Sequence, residues 1–154
     1  MTFLLCDRQL SVSANDNKWH HICVTWENTA GLMNFYKDGV LSANATNFKT
    51  GHVIRSGGSL MLGQEQDSFA SGLDSAQSFQ GFLSNLNVWD YVVCQEIIKR
   101  MSKVCMSGRG NVYEWSNFKH GFVGEPRLFI PSPCFPQMAV SGKYKTFTKN
   151  ILLS

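Results

Sequence analysis

The chain has 154 residues, 44% of them apolar, which suits one domain with a real core and leaves no apolar run of the ~20 residues that a membrane span needs. A formal charge of +3, with charged residues only 16% of the chain and the basic ones scattered, argues against a nucleic-acid footprint. The opening MTFLLCDRQL is a poor signal peptide, because its apolar stretch is short and no charged start or small-residue cleavage site flanks it.

In chain order, residues 18–26, KWHHICVTW, alternate as a strand. Trp19, His21, Cys23 and Thr25 fall on one face, and His20, Ile22, Val24 and Trp26 on the other. Apolar groups on both faces suit the middle of a sandwich. Residues 32–43, LMNFYKDGVLSA, read as a hairpin, with Asp38-Gly39 supplying the positive φ of a tight turn. Asn44-Ala45-Thr46 is a glycosylation sequon, meaningful only for a secreted chain. Gly57-Gly58 marks a turn, residues 59–63 a short strand, and the alternation in 79–89 another. Ile97, Ile98 and Met101 fall at helical spacing, which predicts a helix from about Cys94 to Val104 with Cys94 at its N-cap. Gly108–Trp115 reads as a further strand. Pro131, Pro133 and Pro136 close the ordered part, and residues 137–154 read as a loose tail or an edge strand, basic at Lys143, Lys145 and Lys149. Short strands with frequent turns predict an antiparallel sandwich.

Residues 62–78, LGQEQDSFASGLDSAQS, concentrate oxygen. Glu65, Asp67 and Asp74 stand among Gln64, Gln66 and Gln77 with glycine and serine spacers, and no lysine or arginine. Oxygen donors alone suit a hard cation, and calcium accepts six to eight of them in flexible geometry. Magnesium asks for stricter octahedral geometry, and zinc for the histidine or cysteine this loop lacks. Without a cation the three carboxylates repel one another. A solvated acidic connection has the same composition. Carboxylate pairs also perform acid–base chemistry, but no aromatic sugar platform or nucleophile accompanies these.

Two distant stretches resemble one family. His21-Ile22-Cys23-Val24-Thr25-Trp26 resembles the H-x-C-x-[ST]-W signature of pentraxins, and residues 63–69, GQEQDSF, resemble that family's calcium loop. Gln77-Ser78-Phe79-x-Gly81, Asn85-Leu86-Asn87-x-Trp89-Asp90 and Gly110-Asn111-Val112-x-x-Trp115 follow in the family's order, so the resemblance spans roughly 18–130. It implies an all-β, two-sheet antiparallel jelly-roll sandwich of the concanavalin/laminin-G kind, with one short helix on a face. It also implies paired calcium ions that hold phosphocholine or other phosphate-bearing groups. Glu65, Asp67, Asp74 and Gln77 match side-chain ligands, and Gln66 matches a backbone carbonyl ligand. Asp74 has a shorter arm than the glutamate found in many relatives.

The resemblance implies a disulfide between Cys105 and Cys134, since similar late cysteines occur in neuronal pentraxins. The long stretch that precedes the signature strand in pentraxins, with an Asp-Asn calcium pair and the partner of Cys23, has no counterpart in residues 1–20. We therefore expect a partial pentraxin-like domain over 1–134 and a C-terminal tail over 135–154. Cys6 matches no motif.

The function implied is a non-enzymatic, calcium-dependent recognition module, extracellular or cell-surface, and in the family's manner a homo-oligomer. Its partner would be an anionic small molecule or a polyanionic surface ligand. An adhesion module of a cell-surface receptor, such as an adhesion G-protein-coupled receptor, is the alternative, with little or no metal dependence. A glycan-cleaving enzyme acting through Glu65, Asp67 or Asp74 is the third reading. His20 and His21 fall on opposite faces and cannot serve one site, so both read as structural. Trp19, Trp26, Trp89 and Trp115 read as core or sheet-face packing. Ser68 and Ser71 lack a nucleophile elbow.

Overall fold

A computed structural model describes residues 2–5, 8–63, 79, 81–120, 127, 129, 132 and 134. Strand β1 (Thr2–Leu5) pairs antiparallel with β2 (Arg8–Ser13). Strands β3 (Ile22–Glu27), β4 (Leu32–Lys37) and β5 (Val40–Ala45) form a second antiparallel sheet in the order β3-β4-β5. Helix α1 spans Gln95–Met101, and a 3-10 turn spans Trp115–Lys119.

The β4–β5 hairpin turns on Asp38 (φ +53) and Gly39 (φ +79), the left-handed pair that suits a two-residue hairpin loop. Cys23 lies opposite Tyr36, Val24 opposite Phe35 and Trp26 opposite Met33. This register gives the sheet two apolar faces. On one, Met33 (0% exposed), Phe35 (1%) and Ala45 (6%) form a core joined by Ile22, Val24, Trp26, Ala43 and Phe48. Val12, at the end of β2, and Ala14 pack on that same core. On the other face Tyr36 meets Val93, Ile98 and Met101, with Cys23 and Trp89 at the margin.

Several expectations are corrected. The ladder begins at Ile22, so residues 18–21 of the expected strand lie outside it. Residues 59–63 and 79–89 form no strand among the described residues, and 108–115 contributes only the bridge Val88–Tyr113. Left-handed backbone at Gly63, Asn85 and Gly108 bends these segments away from extended geometry. The helix ends at Met101, three residues short of Val104. Cys94 is its N-cap, with extended backbone and no side-chain cap bond. Ile98 and Met101 are buried, while Ile97 is 38% exposed. Residues 1–20 contain a hairpin that the sequence reading did not foresee. Pro131, Pro133, Pro136 and the tail 137–154 lie outside the described residues.

Candidate functional site

Glu65, Gln66, Asp67, Asp74 and Gln77, with Ser68 and Ser71, lie outside the described residues. What the structure describes is the two residues that flank them, Gly63 and Phe79. The Phe79 N–H donates to the Gly63 carbonyl at 2.6 Å, so the two ends of residues 64–78 meet. Gly63 has φ +82, a conformation that costs a side chain strain. The Phe79 ring folds over Gly81, where a Cβ would stand 2.7 Å from Phe79 Cζ. A side chain at 81 would therefore require the Phe79 ring to shift.

The two later motifs form one hydrogen-bonded unit. Val88 N–H donates to the Tyr113 carbonyl (2.8 Å), and Trp89 Nε1–H to the Arg109 carbonyl (3.0 Å). Gly110 N–H donates to Asn87 Oδ1 (3.0 Å), and Asn111 Nδ2–H to Asp90 Oδ1 (2.6 Å). A Cβ at Gly110 would overlap the Tyr113 carbonyl and the Val88 backbone. Side-chain amides thus act with the backbone bonds around Val88 in linking segments that form no full strand ladder. Cys105 and Cys134 form a disulfide with Cα atoms 5.9 Å apart, within the usual span. Beside it, Ser84 Oγ lies 2.9 Å from Ser132 Oγ.

The signature strand is held for structural reasons. Trp26 Nε1–H donates to the Phe48 carbonyl at 2.9 Å. Burial pushes the Cys23 thiol up to about 11. The neighbouring histidines part. His20 Nδ1 lies 2.7 Å from Asp38 Oδ2, and its Nε2 lies 2.8 Å from Asp16 Oδ1. The His20 bond is the main reason Asp16 sits below the usual carboxylate range. His21 donates its backbone N–H to Asp38 Oδ1 at 2.9 Å, while its ring Nδ1 is buried without a hydrogen-bond partner among the described residues. Burial lowers the His21 imidazole, and the Asp38 charge opposes this.

Trp26, Trp89 and Trp115 are half-buried as expected, but Trp19 is 41% exposed and stands 6.1 Å from Phe82, centroid to centroid. Among the described residues no three His, Cys, Asp or Glu side chains are grouped as metal ligands. Sequence reasoning missed the Gly63–Phe79 closure and the double role of Asp38. The available signals were the glycine ahead of the acidic run and the aspartate at the hairpin turn.

Comparison with known proteins places the chain. A family model described as the Pentaxin family matches residues 6–128, which reaches ahead of the 18–130 span of the motifs. The chain is 42% identical, over 118 residues, to "Sushi, von Willebrand factor type A, EGF and pentraxin domain-containing protein 1" of Rattus norvegicus, covering 75% of this chain and 3% of that protein. It is 38% identical to human neuronal pentraxin-2 over 107 residues, covering 70% of this chain and 25% of that protein. A native heptameric SAP-like pentraxin from Limulus polyphemus superposes with a TM-score of 0.65 at 30% identity, covering 76% of this chain and 54% of that one. The chain therefore has the pentraxin jelly-roll sandwich fold and spans a minor part of the curated relatives it matches.

Proposed function

This chain belongs to the pentraxin family, and from that premise we propose that it is a non-enzymatic recognition module in which residues 64–78 hold calcium for an anionic ligand. The Gly63–Phe79 bond carries this reading, because it closes the base of the stretch that bears the family's GQEQDSF sequence. The donor set fits. Glu65, Asp67 and Asp74 would supply carboxylates, Gln77 a side-chain carbonyl and Gln66 a backbone carbonyl, all of them oxygen. Bound calcium would offset the mutual repulsion of three carboxylates and present open positions to a phosphate-bearing or polyanionic ligand. We read residues 1–134 as one pentraxin-like unit and 135–154 as its tail.

The Cys105–Cys134 disulfide supports an extracellular setting, since such bonds persist in oxidising compartments. No helix among the described residues is long and apolar enough to cross a membrane. The heptameric Limulus relative supports a homo-oligomer. A second reading, an adhesion module within a larger surface protein, is favoured by the rat relative, whose name places a pentraxin domain beside several others.

The test is a calorimetric calcium titration of the wild type beside the double variant Asp67→Ala/Asp74→Ala. The wild type is expected to bind and the variant not to. Absence of binding by both would sink the calcium reading. If the wild type binds calcium, phosphocholine and anionic glycans should be bound only with calcium present, and a glycan panel should show no turnover. Metal-independent adhesion to cells would favour the second reading.

A further inference from the structure

We propose that Asn44 carries an N-linked oligosaccharide, an inference that rests on the extracellular reading above but not on calcium. Asn44-Ala45-Thr46 is the chain's one Asn-x-Ser/Thr sequence, with alanine rather than proline in the middle. So short a pattern arises by chance, and its place in the fold decides between chance and use.

Asn44 lies on β5, an outer strand of the β3-β4-β5 sheet, opposite Asn34 of β4. Its neighbours Ala43 and Ala45 turn toward the Met33–Phe35 core, and side chains on a strand alternate. Asn44 therefore faces the other way, on the side that carries α1. The helix covers only the turn end of this hairpin. Tyr36 packs on Ile98, and a Cβ at Gly39 would stand 2.6 Å from Ser102 Oγ. Asn44 is five residues further along, about 16 Å in extended chain. Both Asn44 and Thr46 are exposed. The Asn44 amide has no hydrogen-bond partner among the described residues. Among the described residues a glycan there displaces no packing and breaks no bond, and it would shade the outer strand beside exposed Val40 and Leu41.

The chemistry is a simple displacement. The Asn44 Nδ2 forms a bond to C1 of an oligosaccharide carried on a lipid pyrophosphate. The C1–oxygen bond to the pyrophosphate breaks, the lipid pyrophosphate leaves, Nδ2 loses one proton, and no redox change occurs. The disulfide shows the fold to be compatible with the oxidising compartments where such donors act.

The experiment directs the full chain into the secretory pathway of a eukaryotic cell and recovers both secreted and cell-associated protein. Treatment with peptide N-glycosidase in heavy-oxygen water is expected to convert Asn44 to labelled aspartate, seen by peptide mass spectrometry. Thr46→Ala is expected to abolish the label and Thr46→Ser to keep part of it. An unmodified, unlabelled Asn44 peptide from wild type in both pools would overturn the proposal. That wild-type reading decides even if Thr46→Ala does not fold, and it is independent of the calcium titration.

Discussion

Phe79 donates its N–H to the Gly63 carbonyl at 2.6 Å, which joins the two ends of the acidic stretch 64–78. Gly63 makes the bond from left-handed backbone, φ +82, where an alanine is strained. Gly63→Ala should cost about 1 kcal/mol in denaturant unfolding and weaken calcium binding. Gly58 has open space around it. Gly58→Ala should stay within about 0.5 kcal/mol of wild type. Equal effects of the two substitutions would show that the closure contributes nothing.

The α1 face can be tested on neighbouring isoleucines. Ile98 is fully buried against Tyr36, Val93 and Met101, whereas Ile97 is 38% exposed. Ile98→Ala should destabilise by about 2–5 kcal/mol through lost burial and a residual cavity. Ile97→Ala should cost well under that, about 0.5 kcal/mol. Urea titrations of the two variants separate them.

Stability should fall as pH drops through the histidine range. Burial lowers the folded-state His21 imidazole, against a weaker pull upward from Asp38. The unfolded chain then takes up the proton first, near pH ~6.5. The stability from His21 is thus full above that pH and declines below it, until the folded ring also protonates. Asp16 and Glu27 are lowered as well, Asp16 chiefly by His20 and Glu27 chiefly by the Leu32 N–H. Their contributions are lost only below about pH 4.5. Urea midpoints taken at about pH 7.5, 6.5 and 5.5 should fall for wild type, and less for His21→Gln. An equal fall in both would remove His21 as the cause.

The four described cysteines should sort by reactivity. Cys94 is exposed at the start of α1, and Cys23 is held protonated by burial, its thiol pushed up to about 11. An alkylating reagent at neutral pH should label Cys94 in the folded protein and Cys23 only after unfolding. Cys105 and Cys134 should need reduction first. Removing that bond, which closes a span of 29 residues, should cost about 2–4 kcal/mol. Rapid labelling of Cys23 in the native state would contradict the burial.

The features legible in the sequence were those set by near neighbours. Asp38-Gly39 marked a turn because few residue pairs tolerate two left-handed conformations in a row. Cys23, Val24, Thr25 and Trp26 alternated in the strand as their apolar pattern required. The N-terminal hairpin was missed although Leu10, Val12 and Ala14 repeat every second residue, because no turn signal or family motif marks that stretch. Residues 79–89 and 108–115 alternate equally well, yet they meet through the single bridge Val88–Tyr113 and side-chain amides, with left-handed residues interrupting extended backbone, in place of a ladder. Periodicity reports which side chains could share a face; it does not report whether a partner strand arrives.

By itself, then, the sequence determined the family through its ordered motifs, the oxygen-only chemistry of residues 62–78 and the tight turn at Asp38-Gly39. These follow from residue type and short spacing, which need no distant partner. Only the tertiary structure decided that Ile98 and not Ile97 turns inward, that Asn87 and Asp90 bind the Gly110-Asn111 segment, and that Gly63 meets Phe79. Each depends on which surfaces the folded chain brings together, because burial and hydrogen bonding are settled between residues far apart in sequence.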